Sequence, residues 1–289
     1  MKRFRLPLIA LAAVGALALS ACASGTEDPG ATTAPEPEEM SFEEGTTMAA
    51  LNEAGEITIG TKFDQPLFGL MGPSGTPEGF DVEIGKIIAS HLGIAEDKIT
   101  WKEAVSANRE PFIENGEVDI VIATYTINDT RKEVISFAGP YYMAGQSILV
   151  LADNDDITSE DDLVGQPVCS VTGSTPAEKL AEIGAEPVLT DTYSNCLEPL
   201  RTGAVVAVST DNVILAGLAA QNEGEFKVVG EPFTEEPYGI GLTLDDTDFR
   251  MWINDVLEES YADGTYEEAW NSTAGTVLPF VDPPTPDRY

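Results

Sequence analysis

Short apolar runs alternate with amphipathic segments along most of the chain. The runs are rich in β-branched residues and predict strands at residues 56–61, 99–103, 118–123, 146–151, 167–171, 187–190, 205–209 and 240–244. Helical spacing of apolar residues and terminating glycines predict helices at residues 81–92, 109–115, 194–202, 249–261 and 266–271. This alternation is typical of an α/β protein in which helices flank mostly parallel sheets.

Hydroxyl and cationic side chains follow the apolar run at residues 118–123. Thr124, Tyr125 and Thr126 come directly after it, and Arg131 falls in the first turn of the next predicted helix. Open α/β sheets bind ligands at the carboxyl ends of their strands, and a guanidinium can hold both oxygens of a carboxylate. The pattern therefore predicts an anion site. The alternative is a surface Arg131 that pairs with a neighbouring acid.

The second half of the chain has a similar arrangement. The sequence TGSTP at residues 172–176 opens a helix that Ser174 or Thr175 can cap. A later apolar strand is followed by Thr210 and Asp211. We expect two similar α/β lobes, each of which presents polar groups where its strands end.

The first 21 residues have the pattern of a secretory signal peptide, with a basic start and an apolar run too short to span a membrane convincingly. The run ends LSAC, which resembles the bacterial lipobox and implies cleavage before Cys22. Lipid, palmitate included, would then anchor the protein at the extracytoplasmic face of the cell membrane. Residues 22–47 are polar and rich in proline, which predicts a disordered tether before a folded body that starts near Met48. An ordinary signal peptide with an incidental cysteine is the alternative.

Charge narrows the range of partners. The chain has 289 residues, enough for two modest domains, and its 15 basic and 50 acidic residues give a net charge of −35. Such a surface repels nucleic acid and anionic membranes, so neither is an expected partner. A cation in a cleft is scarce in this chain and calls for an explanation.

Five segments resemble the bacterial extracellular solute-binding proteins that supply polar amino acids to ABC importers. They are GFDVEIGKIIA (79–89), GEVDIVIATYTINDTRKEVISFAGPYY (116–142), GSTPAEKL (173–180), TGAVVAVSTDNVIL (202–215) and EPYGIGL (236–242). The lipobox and the acidity are similar to those of glutamate-binding members from Gram-positive bacteria. The resemblance covers residues 51–270.

The resemblance implies a periplasmic-binding-protein-like α/β fold, with two lobes joined by two crossings near residues 148–150 and 236–239. Lobe one would comprise residues 51–148 and 239–289, and lobe two residues 149–238. The hinge residues would be Leu149, Val150 and Tyr238. The ligand would lie between the lobes.

The resemblance also assigns the ligand's α-carboxylate to four residues. Arg131 matches the arginine that grips this group, and Thr126 matches its hydroxyl helper. Ser174 and Thr175 match a helix start in lobe two that offers backbone N–H groups to the same carboxylate.

The remaining contacts concern the ammonium and the side chain of the ligand. Thr124 and Asp211 match the positions that face the α-ammonium. Lys62 follows the first strand where members often read the ligand side chain, so a lysine indicates glutamate, with aspartate or glutamine possible. The alternative is a Lys62 that points to solvent. Phe63 could lie against the ligand's carbon chain or pack in the core, and Thr210 could add a hydroxyl.

The implied protein is a monomer without cofactor or metal, whose partners are the amino acid, an importer permease and, through lipid on Cys22, the membrane. One alternative is an enzyme on the same scaffold, of the dehydratase or cell-wall lytic type. No acid here stands in a motif with a base or nucleophile, and the single histidine, His91, lies in an amphipathic helix. A sensory module, which would carry a membrane segment after the folded body, is the other alternative.

Two further cysteines, Cys169 and Cys196, fall in the predicted lobe two. The signal peptide indicates an oxidising compartment, so we expect them to form a disulfide.

Overall fold

A computed structural model of the protein describes residues 41–289. The predicted signal peptide, Cys22 and most of the predicted tether lie outside the described residues. Phe42 packs edge-on against Trp252 with ring centroids 5.8 Å apart. Thr46 caps the first helix, so contacts with the folded body begin before Met48, where the sequence predicted it to start.

The first of two large sheets contains β1 (Ile57–Thr61), β5 (Ile99–Glu103), β6 (Ile120–Val121), β7 (Ser136–Ala144) and β13 (Glu236–Leu242). Their order across the sheet is β5-β1-β6-β13-β7. A separate small sheet contains β2 (Asp64–Gln65), β3 (Gly69–Met71) and β4 (Pro77–Glu78). The accompanying helices are α1 (Thr47–Ala54), α2 (Phe80–His91), α3 (Arg109–Glu114), α4 (Asp129–Lys132), α8 (Thr247–Asp263) and α9 (Thr265–Ser272). We call this unit lobe one.

The second large sheet contains β8 (Gln146–Leu151), β9 (Pro167–Val171), β10 (Glu186–Thr190), β11 (Ala207–Asp211) and β12 (Phe226–Val229). Their order across the sheet is β10-β9-β11-β8-β12. The helices of this unit, lobe two, are α5 (Thr175–Glu182), α6 (Leu197–Arg201) and α7 (Asn212–Gln221). Among residues 41–289 no helix combines the length and apolar character that a membrane crossing requires.

The two large sheets share one topology, as the echo between the halves of the sequence predicted. Both are mixed, but four of the five strands in each run in the same direction, so the expectation of mostly parallel sheets is confirmed. In lobe one β1 runs parallel to β5 and β6, whereas β13 runs antiparallel to β6 and β7. In lobe two β9 runs parallel to β10 and β11, whereas β8 runs antiparallel to β11 and β12. In each sheet the antiparallel pairs involve the strand that enters directly from the other lobe.

The chain crosses between the lobes at Gly145, which joins β7 to β8, and at residues 230–235, which join β12 to β13. The crossings lie side by side, since Gln146 N donates to Thr234 Oγ1 over 2.9 Å. The three residues predicted for the hinge lie within paired strands, Leu149 and Val150 in β8 and Tyr238 in β13.

Candidate functional site

A small polar cavity lies where strand ends and helix starts of both lobes meet. It is lined by Ser106, Arg109, Thr124, Thr126, Ser174, Thr175, Pro176, Tyr193, Asp211 and Ile214. Five of the residues predicted from the sequence are therefore brought together here: Thr124, Thr126, Ser174, Thr175 and Asp211.

Arg109 is the cation that faces this cavity, and the sequence reasoning missed it. It begins helix α3 and is only 3% exposed. Its Nε donates to Ser106 O over 3.2 Å, and its Nη2 donates across the cleft to Gly173 O over 3.3 Å. Burial and the nearby Arg131 charge lower its pKa to about 10. A cation at a helix N-terminus opposes the helix dipole, and that mismatch is the signal that could have indicated its role.

Arg131 is buried in lobe one, 8% exposed, at the start of helix α4. Its Nη1 donates to Thr126 O over 2.6 Å and its Nη2 to Gly173 O over 3.1 Å. Its Nε lies 3.1 Å from Glu110 Oε1. Because Arg131 is buried, it is not the surface arginine of the alternative interpretation, although it does pair with an acid. It lines a neighbouring cavity, together with Glu110 and Glu178, rather than the small one.

Lys62 lies inside lobe one and not at the surface. It is 3% exposed, and its Nζ donates to Ser106 Oγ over 2.8 Å. Burial and the Arg109 charge lower the pKa of Lys62 to about 7. Ser106 thus links Lys62 to the cavity wall. Phe63 is partly buried and does not line the cavity.

Asp211 is the last residue of strand β11, and only one of its two carboxylate oxygens accepts a hydrogen bond within the described residues. Its Oδ2 accepts a hydrogen bond from Tyr238 of lobe one over 2.6 Å. Its Oδ1 is buried without a partner among the described residues, as is the Thr210 hydroxyl. Burial and the Glu236 charge raise the pKa of Asp211 to about 7. A buried carboxylate oxygen without a donor is a group that a ligand ammonium can satisfy.

Thr124 has a left-handed backbone, with a φ of 44°, that polar neighbours hold in place. Its N–H donates to Asp81 Oδ2 over 2.7 Å, and its hydroxyl donates to Gln65 Oε1 over 2.9 Å. Asp81 also accepts a hydrogen bond from Tyr141 over 2.6 Å, and burial raises its pKa to about 7. The sequence did not indicate this role for Gln65 and Asp81, because they precede Thr124 by tens of positions.

The start of helix α5 brings lobe two against lobe one. Ser174 is its N-cap, and the Thr175 hydroxyl donates to Glu236 Oε2 of lobe one over 2.7 Å. Gly173 lies so close to lobe one that a Cβ there would be 2.9 Å from Ala107 Cα. The lobes are therefore closed on each other around the cavity.

A disulfide joins Cys169 in β9 to Cys196, with Cα atoms 5.6 Å apart. Cys196 ends the short 3₁₀ helix that contains Tyr193, a residue of the cavity wall. The bond thus ties that wall to the central part of the lobe-two sheet.

Comparisons with known proteins give consistent results. The bacterial extracellular solute-binding proteins, family 3, match residues 57–272, which include every residue of the cavity. The chain is 44% identical over 258 residues to the glutamate-binding protein GluB of Corynebacterium efficiens, covering 84% of this chain and 87% of that one. It is 35% identical over 272 residues to the ABC transporter glutamine-binding protein GlnH of Bacillus subtilis, covering 93% and 96%. A solved structure of an ancestral arginine-binding protein bound to glutamine matches with a TM-score of 0.71 at 35% identity, covering 76% of this chain and 97% of that one.

Proposed function

This chain belongs to the bacterial extracellular solute-binding proteins, family 3, and we propose that it captures glutamate between its lobes for an ABC importer. The observation that carries the proposal is the pair of buried cations, Arg109 and Lys62, that lobe one holds beside the cleft in addition to Arg131. One α-carboxylate needs one guanidinium. The extra cations suit a second carboxylate, and two similar proteins are named for glutamate and glutamine binding.

The α-groups of the ligand would be held by both lobes. Arg131 and Thr126 in lobe one, with the helix start at Ser174 and Thr175 in lobe two, would bind the α-carboxylate. The unpartnered Oδ1 of Asp211 would accept the α-ammonium. A zwitterion that enters a dry cleft loses its hydration, so it needs both signs of charge at fixed positions.

The side-chain carboxylate would meet Arg109 and Ser106 at the cavity wall, with Lys62 behind Ser106. An anionic ligand would favour the protonated form of Lys62, whose hydrogen bond to Ser106 then carries charge. Glutamine would lose these charged contacts, and aspartate would reach them less well because its side chain is one methylene shorter. Both are therefore weaker ligands in this proposal.

Capture would shift the protein from an open to a closed form. Ligand docked on lobe one would favour closure, because only the closed form adds the contacts of Asp211 and helix α5. A permease would recognise the closed form. Lipid on Cys22 would keep the monomeric protein at the extracytoplasmic face of the membrane, within reach of that permease.

A thermal-shift screen of the purified protein against the twenty amino acids tests the proposal. A ligand that binds only the folded protein raises the melting temperature. We expect the largest shift with glutamate, smaller shifts with aspartate and glutamine, and none with lysine or arginine. A largest shift with a basic or apolar amino acid would contradict the acidic-ligand proposal.

The enzyme alternative has its own test. Incubation with each amino acid that raises the melting temperature, followed by mass spectrometry of the small molecules, should return the amino acid unchanged. A time-dependent product that requires the folded protein would establish an enzyme instead.

A further inference from the structure

Tyr125, between the two cleft threonines, lies under both arginines of the site. The Cζ atom of Arg109 is 4.1 Å from the centroid of its ring, and that of Arg131 is 5.0 Å from the same centroid. The face of an aromatic ring attracts cations within about 6 Å of its centroid. One buried ring is therefore in reach of both guanidinium groups at once.

The two arginines carry like charges and repel each other, so the attraction of both guanidinium groups to the Tyr125 ring offsets part of that repulsion. The Arg131 charge contributes to the lowered pKa of Arg109, so each cation senses the other. Their N–H groups point to fixed acceptors, namely the carbonyl oxygens of Ser106, Ala123, Thr124, Thr126 and Gly173. These bonds orient each guanidinium, and the ring lies within cation–π distance of both.

The ring itself is held from behind. Tyr125 is fully buried, and the Phe137 ring packs edge-on against it with centroids 4.9 Å apart. Its hydroxyl lies near the Glu110 carboxylate but makes no hydrogen bond of ordinary geometry with any of the described residues. The contact of Tyr125 with the two arginines is therefore made by its ring and not by its hydroxyl.

We propose that Tyr125 is a positioning residue whose ring sets the spacing between Arg109 and Arg131. This inference rests on the proposed function, in which the two arginines hold the two carboxylates of one amino acid. The spacing then selects the length of the ligand, so Tyr125 contributes to the preference for glutamate over aspartate.

Two variants separate the ring from the hydroxyl and from simple filling of space. Tyr125→Phe keeps the ring, whereas Tyr125→Leu keeps an apolar side chain without a ring. By calorimetry we expect Tyr125→Phe to bind glutamate within about twofold of the native protein. Tyr125→Leu should bind it about tenfold more weakly, with a reduced ratio of glutamate to aspartate affinity, since one cation–π contact contributes roughly two- to thirtyfold in affinity. A merely structural loss would weaken both ligands equally and leave the ratio unchanged, which would overturn the inference.

Nuclear magnetic resonance of the ligand-free protein tests the geometry without reference to a ligand or a variant's stability. The side-chain Nε–H signals of Arg109 and Arg131, assigned by substitution of each arginine, should be shifted upfield by the ring in the native protein. Ordinary positions for both signals would overturn the inference. If both signals are shifted but the native protein prefers a different amino acid, whose affinity falls in Tyr125→Leu, the positioning role holds and the glutamate proposal fails.

Discussion

Buried charges in the cleft come in two groups of opposite sign. Lobe one holds three buried cations, Lys62, Arg109 and Arg131, and the carboxylate of Glu236, while lobe two supplies the carboxylate of Asp211. Burial and like-charged neighbours move the pKa of Lys62 down and that of Asp211 up, both to about 7. Such groups are costly in the closed protein until a ligand of opposite charge joins them.

The two arginines should separate general binding from side-chain selection. Arg131→Met removes the α-carboxylate contact and should weaken glutamate and glutamine alike, by about 2–5 kcal/mol. Arg109→Met, its matched control, should weaken glutamate by a similar amount and glutamine much less. Calorimetric titration of both variants with both ligands gives the comparison, and melting temperatures without ligand control for folding. Equal losses in Arg109→Met for the two ligands would contradict its assignment to the side-chain carboxylate.

The ratio of glutamate to glutamine affinity should fall as the pH rises. Lys62 has a pKa of about 7, so above that pH the free protein holds it neutral, and glutamate binding must draw a proton onto it. Asp211, with a pKa raised to about 7, weakens both ligands as the pH falls through that value, because its protonated form binds the ammonium poorly. That effect cancels in the ratio. Calorimetric titrations with both ligands from about pH 6 to about pH 9 measure the ratio of their affinities.

Lys62→Met is the control for this pH dependence. In this variant the ratio of glutamate to glutamine affinity should not change over the same pH range. Glutamate binding should also take up fewer protons than in the native protein, as measured by calorimetry in buffers of different ionisation heat. A flat ratio in the native protein would exclude Lys62 from ligand selection.

Residues that follow strands could be predicted, and residues that depend on how the lobes meet could not. Thr126, Ser174 and Asp211 come directly after apolar runs, so the chain order indicates their position. Arg109 and Glu236 acquire their roles through contacts across the cleft, with Gly173 and Thr175 respectively.

At the scale of elements, the start of helix α5 should control closure. Gly173→Ala adds a Cβ within 2.9 Å of lobe-one backbone and should hinder closure. We therefore expect the affinity for glutamate to fall at least tenfold. In small-angle X-ray scattering, the decrease in radius of gyration on addition of glutamate should be smaller than in the native protein. Gly165→Ala is a matched control, because Gly165 has a similar positive φ of 70° with nothing within 4 Å. Both changes carry the same backbone strain, so equal losses of affinity would contradict a steric block of closure.

The Cys169–Cys196 disulfide should stabilise lobe two. It connects residues 27 positions apart, and a loop of that length corresponds to about 3–4 kcal/mol in the chain-entropy estimate. Replacing both cysteines by alanine should therefore lower the free energy of unfolding by about that amount, measured in urea. An unchanged unfolding midpoint and slope would contradict the stabilising role.

The helices and strands that were predicted best have apolar residues at a regular spacing or have clearly marked ends. Strand β7 was missed because it contains Gly139 and Pro140, which sequence rules assign to turns. Helix α7, NVILAGLAAQ, is apolar on nearly every side, so it lacks the periodicity that identifies a surface helix. The run at residues 118–123 forms only a two-residue strand, Ile120–Val121.

At the scale of the molecule, the sequence resemblance identified the family and the two-lobed α/β fold, and both are confirmed. In the structure the chain passes between the large sheets at Gly145 and at residues 230–235, a few residues from the implied crossings near 148–150 and 236–239. The order of elements follows from patterns in the chain, whereas the residue at which a strand leaves one sheet depends on pairing with distant strands. The strongly acidic composition bears on solubility and not on the fold.

The measurement that tests the central claim most directly is calorimetric titration of the purified protein, freed of bound amino acids by unfolding and refolding, with glutamate, aspartate, glutamine and arginine. We predict one site per chain, tightest for glutamate, weaker for aspartate and glutamine, and no detectable binding of arginine. Tighter binding of arginine or of glutamine than of glutamate would contradict the assignment of Arg109 and Lys62 to a side-chain carboxylate.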